Sequence, residues 1–154
     1  GTTGMLPALV ILNNQGRVIR RSIQQSDSRT SKQLKKIFTK KNSRYFIKKT
    51  RCGINQQLIA PKLIWLKDNE KNNFKKIYKI LGSYDYINYK LTGNFSIEHN
   101  WALESGLMDF NKKKFTQKLA DFASIKIKNL PRIYKSDTII GNVSKKNFKR
   151  IILR

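Results

Sequence analysis

At 154 residues, 39% of them hydrophobic, with eight Phe, six Tyr and two Trp, the chain has the length and apolar content of one folded domain and not of a disordered segment. Its longest apolar runs span only a few residues, which excludes a transmembrane helix, and no apolar signal-peptide core opens it. The balance of 33 basic against 9 acidic residues, +24 overall, leaves two readings: a Lys-, Asn- and Ile-rich composition with solvated cationic faces, or a basic surface for nucleic acid. Cys52 is the single cysteine, so no internal disulfide can form and a reducing, cytoplasmic setting is expected. The chain opens on a glycine without an initiator methionine, which predicts a piece of a longer protein.

Residues 8–12 (ALVIL) form a short aliphatic run of the kind that fills a buried strand. Asn13, Asn14, Gln15 and Gly16 then supply turn chemistry, and residues 17–23 read as a second strand carrying Val18 or Ile19, then Ile23, among arginines. Small-residue corners at 1–4 and 26–28 flank this pair, and such corners are where α/β proteins hold ligands. Thr30 with Gln33 predicts a capping box for a helix whose apolar face is Leu34, Ile37 and Phe38, its lysines facing water. Residues 40–51 form a basic connector. Its Tyr45, Phe46 and Ile47 either stack on nucleic-acid bases or, the preferred reading, tuck a helix end against the core.

A loop over 53–60 leads into Pro61, suited to a first helical turn, and the dense segment Leu63, Ile64, Trp65, Leu66. Phe74, Ile77, Tyr78 and Leu81 recur at helical spacing, with Gly82 as a left-handed C-cap. Ser83 caps a further helix carrying Tyr84, Ile87 and Leu91 on one face until Gly93, with Asp85 as a favourable charge in its first turn. His99 is the lone histidine and has no Cys or acidic cluster at ligand spacing, so no metal role is expected. Phe115, Leu119, Phe122 and Ala123 predict another amphipathic helix, capped from Asn111 or Thr116 and broken at Leu130-Pro131. Beyond Lys145 the chain is short and basic.

Several of these stretches, in collinear order, resemble the FGGY family of carbohydrate kinases. Gly1, Gly4, residues 9–12, Gly16, Arg20, Ile23, Asp27, Arg29 and Thr30 match a small turn, a hydrophobic strand, a second turn and an "R-x-x-I-x-x-x-D-x-R-T" run. "APKLIWLKDNE" at 60–70, "DYINYKLTG" at 85–93 and "SDTIIGNVS" at 136–144 are similar to further family segments, the last to a strand before an interdomain hinge. Around 98–108 the likeness is looser: Ala102 matches and Ser105-Gly106 stand close to a usual small pair, while Trp101 and Glu104 replace smaller residues, so packing there should differ.

The resemblance implies an α/β, actin-like ATPase (ribonuclease H-like) fold, here a partial first domain over 1–144 without its N-terminal strands. A basic segment at 145–154 would lead toward a missing second domain. It implies transfer of the γ-phosphoryl group of ATP, with Mg, to a hydroxyl of a pentulose-like sugar or a polyol. The phosphate-holding hairpin and catalytic aspartate of the family lie outside these residues, so no catalytic residue, metal site or bound nucleotide is expected here, and the chain alone should be inactive. What it should carry is one wall of the sugar site. The family's sugar-contacting pair falls by position on Leu6 and Pro7, which offer no side-chain hydrogen bonds. The backbone groups of Thr3 to Met5, with Gln57, Asp27 and Arg29, are the remaining candidates, a salt bridge between Asp27 and Arg29 standing as the alternative to substrate contact. Unpaired strand edges predict association, as a homo-oligomer or with the second domain. The rival reading is a catalytically dead relic, or a basic module that contacts nucleic acid.

Overall fold

The computed structural model describes residues 1–144. Strand β1 (Val10–Leu12) is buried on both faces and lies between two partners. On one edge the chain turns through Asn13 and Gly16, where the Asn13 carbonyl accepts from the Gly16 amide, and returns antiparallel. Leu9 and Ile23 exchange both backbone bonds, at 2.9 and 3.1 Å, and Ile19 N donates to Ile11 O at 3.0 Å. The expected strand pair is therefore present. Its second arm is held by isolated bridges at Val18 and Ile23 and is not a continuous ladder.

On the other edge β1 pairs antiparallel with β2 (Lys79–Leu81), Val10 opposite Leu81. Here the expectation of a helix running to Leu81 fails. Helix α4 is only Lys71–Lys75, after which the chain extends to fill the open edge of β1, and an unpaired buried strand edge is the costlier alternative. Gly82, expected as a left-handed C-cap, has φ −78° and instead opens the next helix.

Core side chains of α3 (Ile59–Asn69) and α5 (Ser83–Thr92) pack with this strand group, α1 (Ser31–Ile37) packs on α3, and α2 (Lys40–Thr50) packs against elements further downstream. Pro61 falls in the first turn of α3, and Gly93 ends α5 with φ +82°, both as the sequence predicts. The capping box at Thr30 does not form. The Thr30 hydroxyl is buried without a partner, and Gln33 Nε2 donates instead to Asp68 Oδ2 at 3.2 Å. Residues 40–50 are a full helix and not a connector. Phe46 is its buried anchor, in a second apolar cluster with Leu58 and Leu119, against which Tyr45 and Phe122 pack.

Downstream, β3 (Ile97–Glu98) pairs in parallel with β6 (Ile133–Tyr134), and β4 (Met108–Asp109) pairs antiparallel with β5 (Lys114–Phe115). Between them lie α6 (His99–Glu104) and α7 (Gln117–Ala120), the latter continued by a 3-10 turn over Asp121–Ala123. Gly106, at φ +73°, brings the backbone so close to Phe46 and Leu58 that a Cβ would sit 2.7 and 2.8 Å from their side chains. The strand expected at 136–144 is absent; there Asn94 Nδ2 holds the Ile140 carbonyl at 2.9 Å and Ser144 N donates to Leu91 O. The basic segment after Lys145 lies outside the described residues. No helix among the described residues is long and apolar enough to cross a membrane.

Asp85 ties two of these parts together. Its carboxylate accepts from Gly82 N at 3.1 Å, capping α5, and from Glu98 N at 2.9 Å, fixing the start of α6. Burial pushes its pKa up to about 7 against these two amides, which favour the carboxylate. Replacing Asp85 by Ala strands two amides in a buried setting and is expected to cost about 2 kcal/mol in urea denaturation. An unchanged midpoint would show that water replaces the carboxylate.

Candidate functional site

The corner leading into β1 is where the sequence-predicted residues can be compared with their surroundings. Met5 is 58% exposed, Leu6 leans on the core half-buried, and Pro7 is buried, joined to Leu6 by a cis peptide. The corner is stitched to α5 through Ser83 Oγ, which donates to Met5 O at 3.4 Å, and through Thr2 Oγ1, which donates to Asn88 Oδ1 at 2.9 Å.

Two consecutive carbonyls at this corner are held by buried side chains from different helices. Lys62, on α3, donates from Nζ to Pro7 O at 3.0 Å. Trp101, on α6, donates from Nε1 to Ala8 O at 2.9 Å. Both side chains have no solvent exposure. Trp101, flagged in the sequence as larger than the family residue it replaces, is accommodated by Gly82, where a Cβ would stand 2.5 Å from its ring.

Lys62 sits inside an otherwise apolar stretch, and burial pushes its ammonium pKa down to about 8, Asp27 pulling the other way. Asp27 in turn is gripped by Arg29 through a two-pronged pair, Nε to Oδ1 and Nη2 to Oδ2, both at 2.7 Å. The guanidinium holds the Asp27 carboxyl below its ordinary value. Arg29 also lies over the Trp65 ring, 4.6 Å from its centroid. Since Lys62 and Trp65 are three residues apart on α3, one side of that helix serves both Pro7 and the 27–29 turn.

The structure thus gathers Pro7, Asp27 and Arg29 around α3, and it forms the salt bridge that the sequence offered as the alternative role for Asp27. Gln57 stands apart. It is exposed and borders a groove of about 290 Å³ with Asn55, Leu103, Glu104 and Phe110, and none of residues 5–7 borders that groove. Sequence reading missed Lys62 and the clamp by Trp101. The available signal was one lysine within the apolar word IAPKLIWL, because a charge at such a position needs a partner. Among the described residues no group of three His, Cys, Asp or Glu side chains could hold a metal ion. Nor does the sequence carry a G-x-x-x-x-G-K-[ST] phosphate loop.

Residues 1–152 match the family model described as the FGGY family of carbohydrate kinases, N-terminal domain. A xylulose kinase of Staphylococcus xylosus is 30% identical over 144 residues, covering 94% of this chain and 30% of that protein. The crystal structure of xylulose kinase from Rhodospirillum rubrum superposes with a TM-score of 0.90 at 37% identity, over 93% of this chain and 30% of that one. The glycerol kinase of Plasmodium falciparum, solved with ADP, shares the fold with a TM-score of 0.84 at 21% identity over 95% of this chain and 30% of that one. The chain therefore spans about 30% of the length of the relatives it matches. The fold is the actin-like α/β fold of these kinases, seen as part of the first domain.

The buried ammonium makes stability depend on alkaline pH. Lys62 loses its proton at about 8 in the folded state but near 10.5 when unfolded, so the unfolded chain binds more protons between those values. Stability of the wild type relative to Lys62→Met should then rise from about pH 8 to about pH 10.5, by up to about 3 kcal/mol. Parallel denaturation curves across that range would contradict the assignment.

Proposed function

The chain belongs to the FGGY family of carbohydrate kinases, and on that premise we propose that it forms one wall of the acceptor site in an ATP-dependent sugar kinase acting on a pentulose-like sugar. The observation that carries this reading is the clamped corner at residues 5–7 beside the Asp27–Arg29 pair, at the end of the central strand. Irregular segments held on a rigid scaffold are where binding residues concentrate. The xylulose kinases among the relatives favour a ketose over a polyol as the acceptor.

Phosphoryl transfer asks little covalent chemistry of the protein. Its rate comes from holding acceptor and donor in line and from stabilising charge on the transferring group. In this division of labour ATP, with Mg, supplies the phosphoryl group when bound by the parts of the protein beyond this chain. These residues orient the sugar and close one side of the cleft against water. Leu6 contributes apolar surface and the buried Pro7 only shapes the main chain, so hydroxyl recognition falls to the main chain of residues 3–6 and to Asp27, while Gln57, which borders a separate groove, takes no part. The 1–144 unit is the partial domain. The protein works in the cytoplasm, and this chain alone is catalytically silent.

Expressed from its full reading frame, the protein should phosphorylate a pentulose in preference to other members of a ketose and polyol panel. Asp27→Asn should lower kcat/KM for the sugar about tenfold, equivalent to about 1.4 kcal/mol. Failure to phosphorylate any sugar, together with binding of nucleic acid that weakens as salt rises, would replace this reading with that of a basic binding module.

A further inference from the structure

A lysine fully withdrawn from water is costly, and an apolar residue of similar size is often as stable or more so at such a site. Lys62 therefore calls for a reason beyond packing, especially on a helix whose neighbouring Leu63, Ile64 and Leu66 are buried and apolar. Its one hydrogen bond among the described residues goes to the Pro7 carbonyl, and the charge facing it is Asp27. Both residues belong to the corner read above as the sugar wall.

That corner has an unusual need. Since the side chains of Leu6 and Pro7 hold neither donors nor acceptors, hydroxyl recognition at this position depends on where the main chain points. A site that reads hydroxyls loses much of its discrimination when its polar groups shift by a fraction of an ångström. Trp101 fixes the Ala8 carbonyl, at the first residue of the aliphatic run. Lys62 fixes the carbonyl before it and, through the field of Asp27, ties the corner to the 27–29 turn. Arg29 completes the link, because its guanidinium bridges Asp27 and the Trp65 ring on the same helix as Lys62.

We infer that Lys62 is a positioning residue for the sugar acceptor: without touching the substrate, it sets the main chain of the Leu6–Pro7 corner and its register with Asp27. This inference rests on the sugar-kinase reading. It differs from a purely structural role in what it predicts, since loss of the clamp should disturb sugar recognition selectively.

The test uses the full-reading-frame protein with steady-state kinetics in both substrates. Lys62→Met removes donor and charge, and should raise the sugar KM about tenfold or more while kcat and the KM for ATP stay within about twofold. Lys62→Gln retains a donor for the Pro7 carbonyl and should limit the rise to about threefold. If the Met variant does not fold, the Gln variant alone decides, and a sugar KM equal to wild type overturns the inference. So does a Met variant with lowered melting temperature but unchanged sugar KM, or one losing affinity for ATP and sugar alike. A wild type inactive on every sugar tested would overturn the kinase reading itself, and this inference with it. Wild-type activity with an unmoved sugar KM would overturn only the role of Lys62.

Discussion

The entry to the central strand is held by two buried hydrogen bonds: the adjacent carbonyls of Pro7 and Ala8 are each capped by a fully buried side chain. Downstream of this clamp the chain has little freedom. β1 is buried on both faces, the hairpin arm closes one edge, and β2 closes the other. The clamp also recruits the helices. α3 must lie where Lys62 reaches Pro7, and α6 where Trp101 reaches Ala8, so the corner and the core around it are one packing solution. Gly82 belongs to that solution too, because only a residue without a side chain leaves room for the indole.

Much of this was legible in the sequence, and the failures share a cause. The run at 8–12, the Asn-Asn-Gln-Gly turn, Pro61 in the first turn of α3 and Gly93 after α5 are local signals, and local physics honours them. The stretch from Phe74 to Leu81 carries an equally clear helical spacing, yet its end forms β2, because β1 offers an open edge across the four intervening helices. At Thr30 the capping box was written correctly for an isolated helix, but Asp68 on α3 outbids the backbone for Gln33. Lys62 shows the same limit from another side: its position in an apolar word announced an anomaly, while its partner, 55 residues away, is visible only in three dimensions.

The heavy positive charge finds a modest place in this picture. Apart from Lys62, fully buried, and Lys79, partly buried with its Nζ on the Lys128 carbonyl at 2.7 Å, the lysines of the described residues lie at or near the surface. Aromatic residues that the sequence set among cations are mostly spoken for: Phe46 is an anchor of the second cluster, and Tyr45 packs with Phe122 beneath Lys118. The chain spans about 30% of the length of the relatives it matches, so the sugar-wall reading proposed above assigns the opposite wall and the phosphate-handling groups to residues outside this chain.

The most direct measurement is a crystal structure of the full-reading-frame protein with a bound pentulose. The account places sugar hydroxyls within hydrogen-bond reach of the main chain at residues 3–6 or of Asp27, with the Lys62–Pro7 contact intact. A sugar lodged elsewhere, with this corner bare, would contradict it.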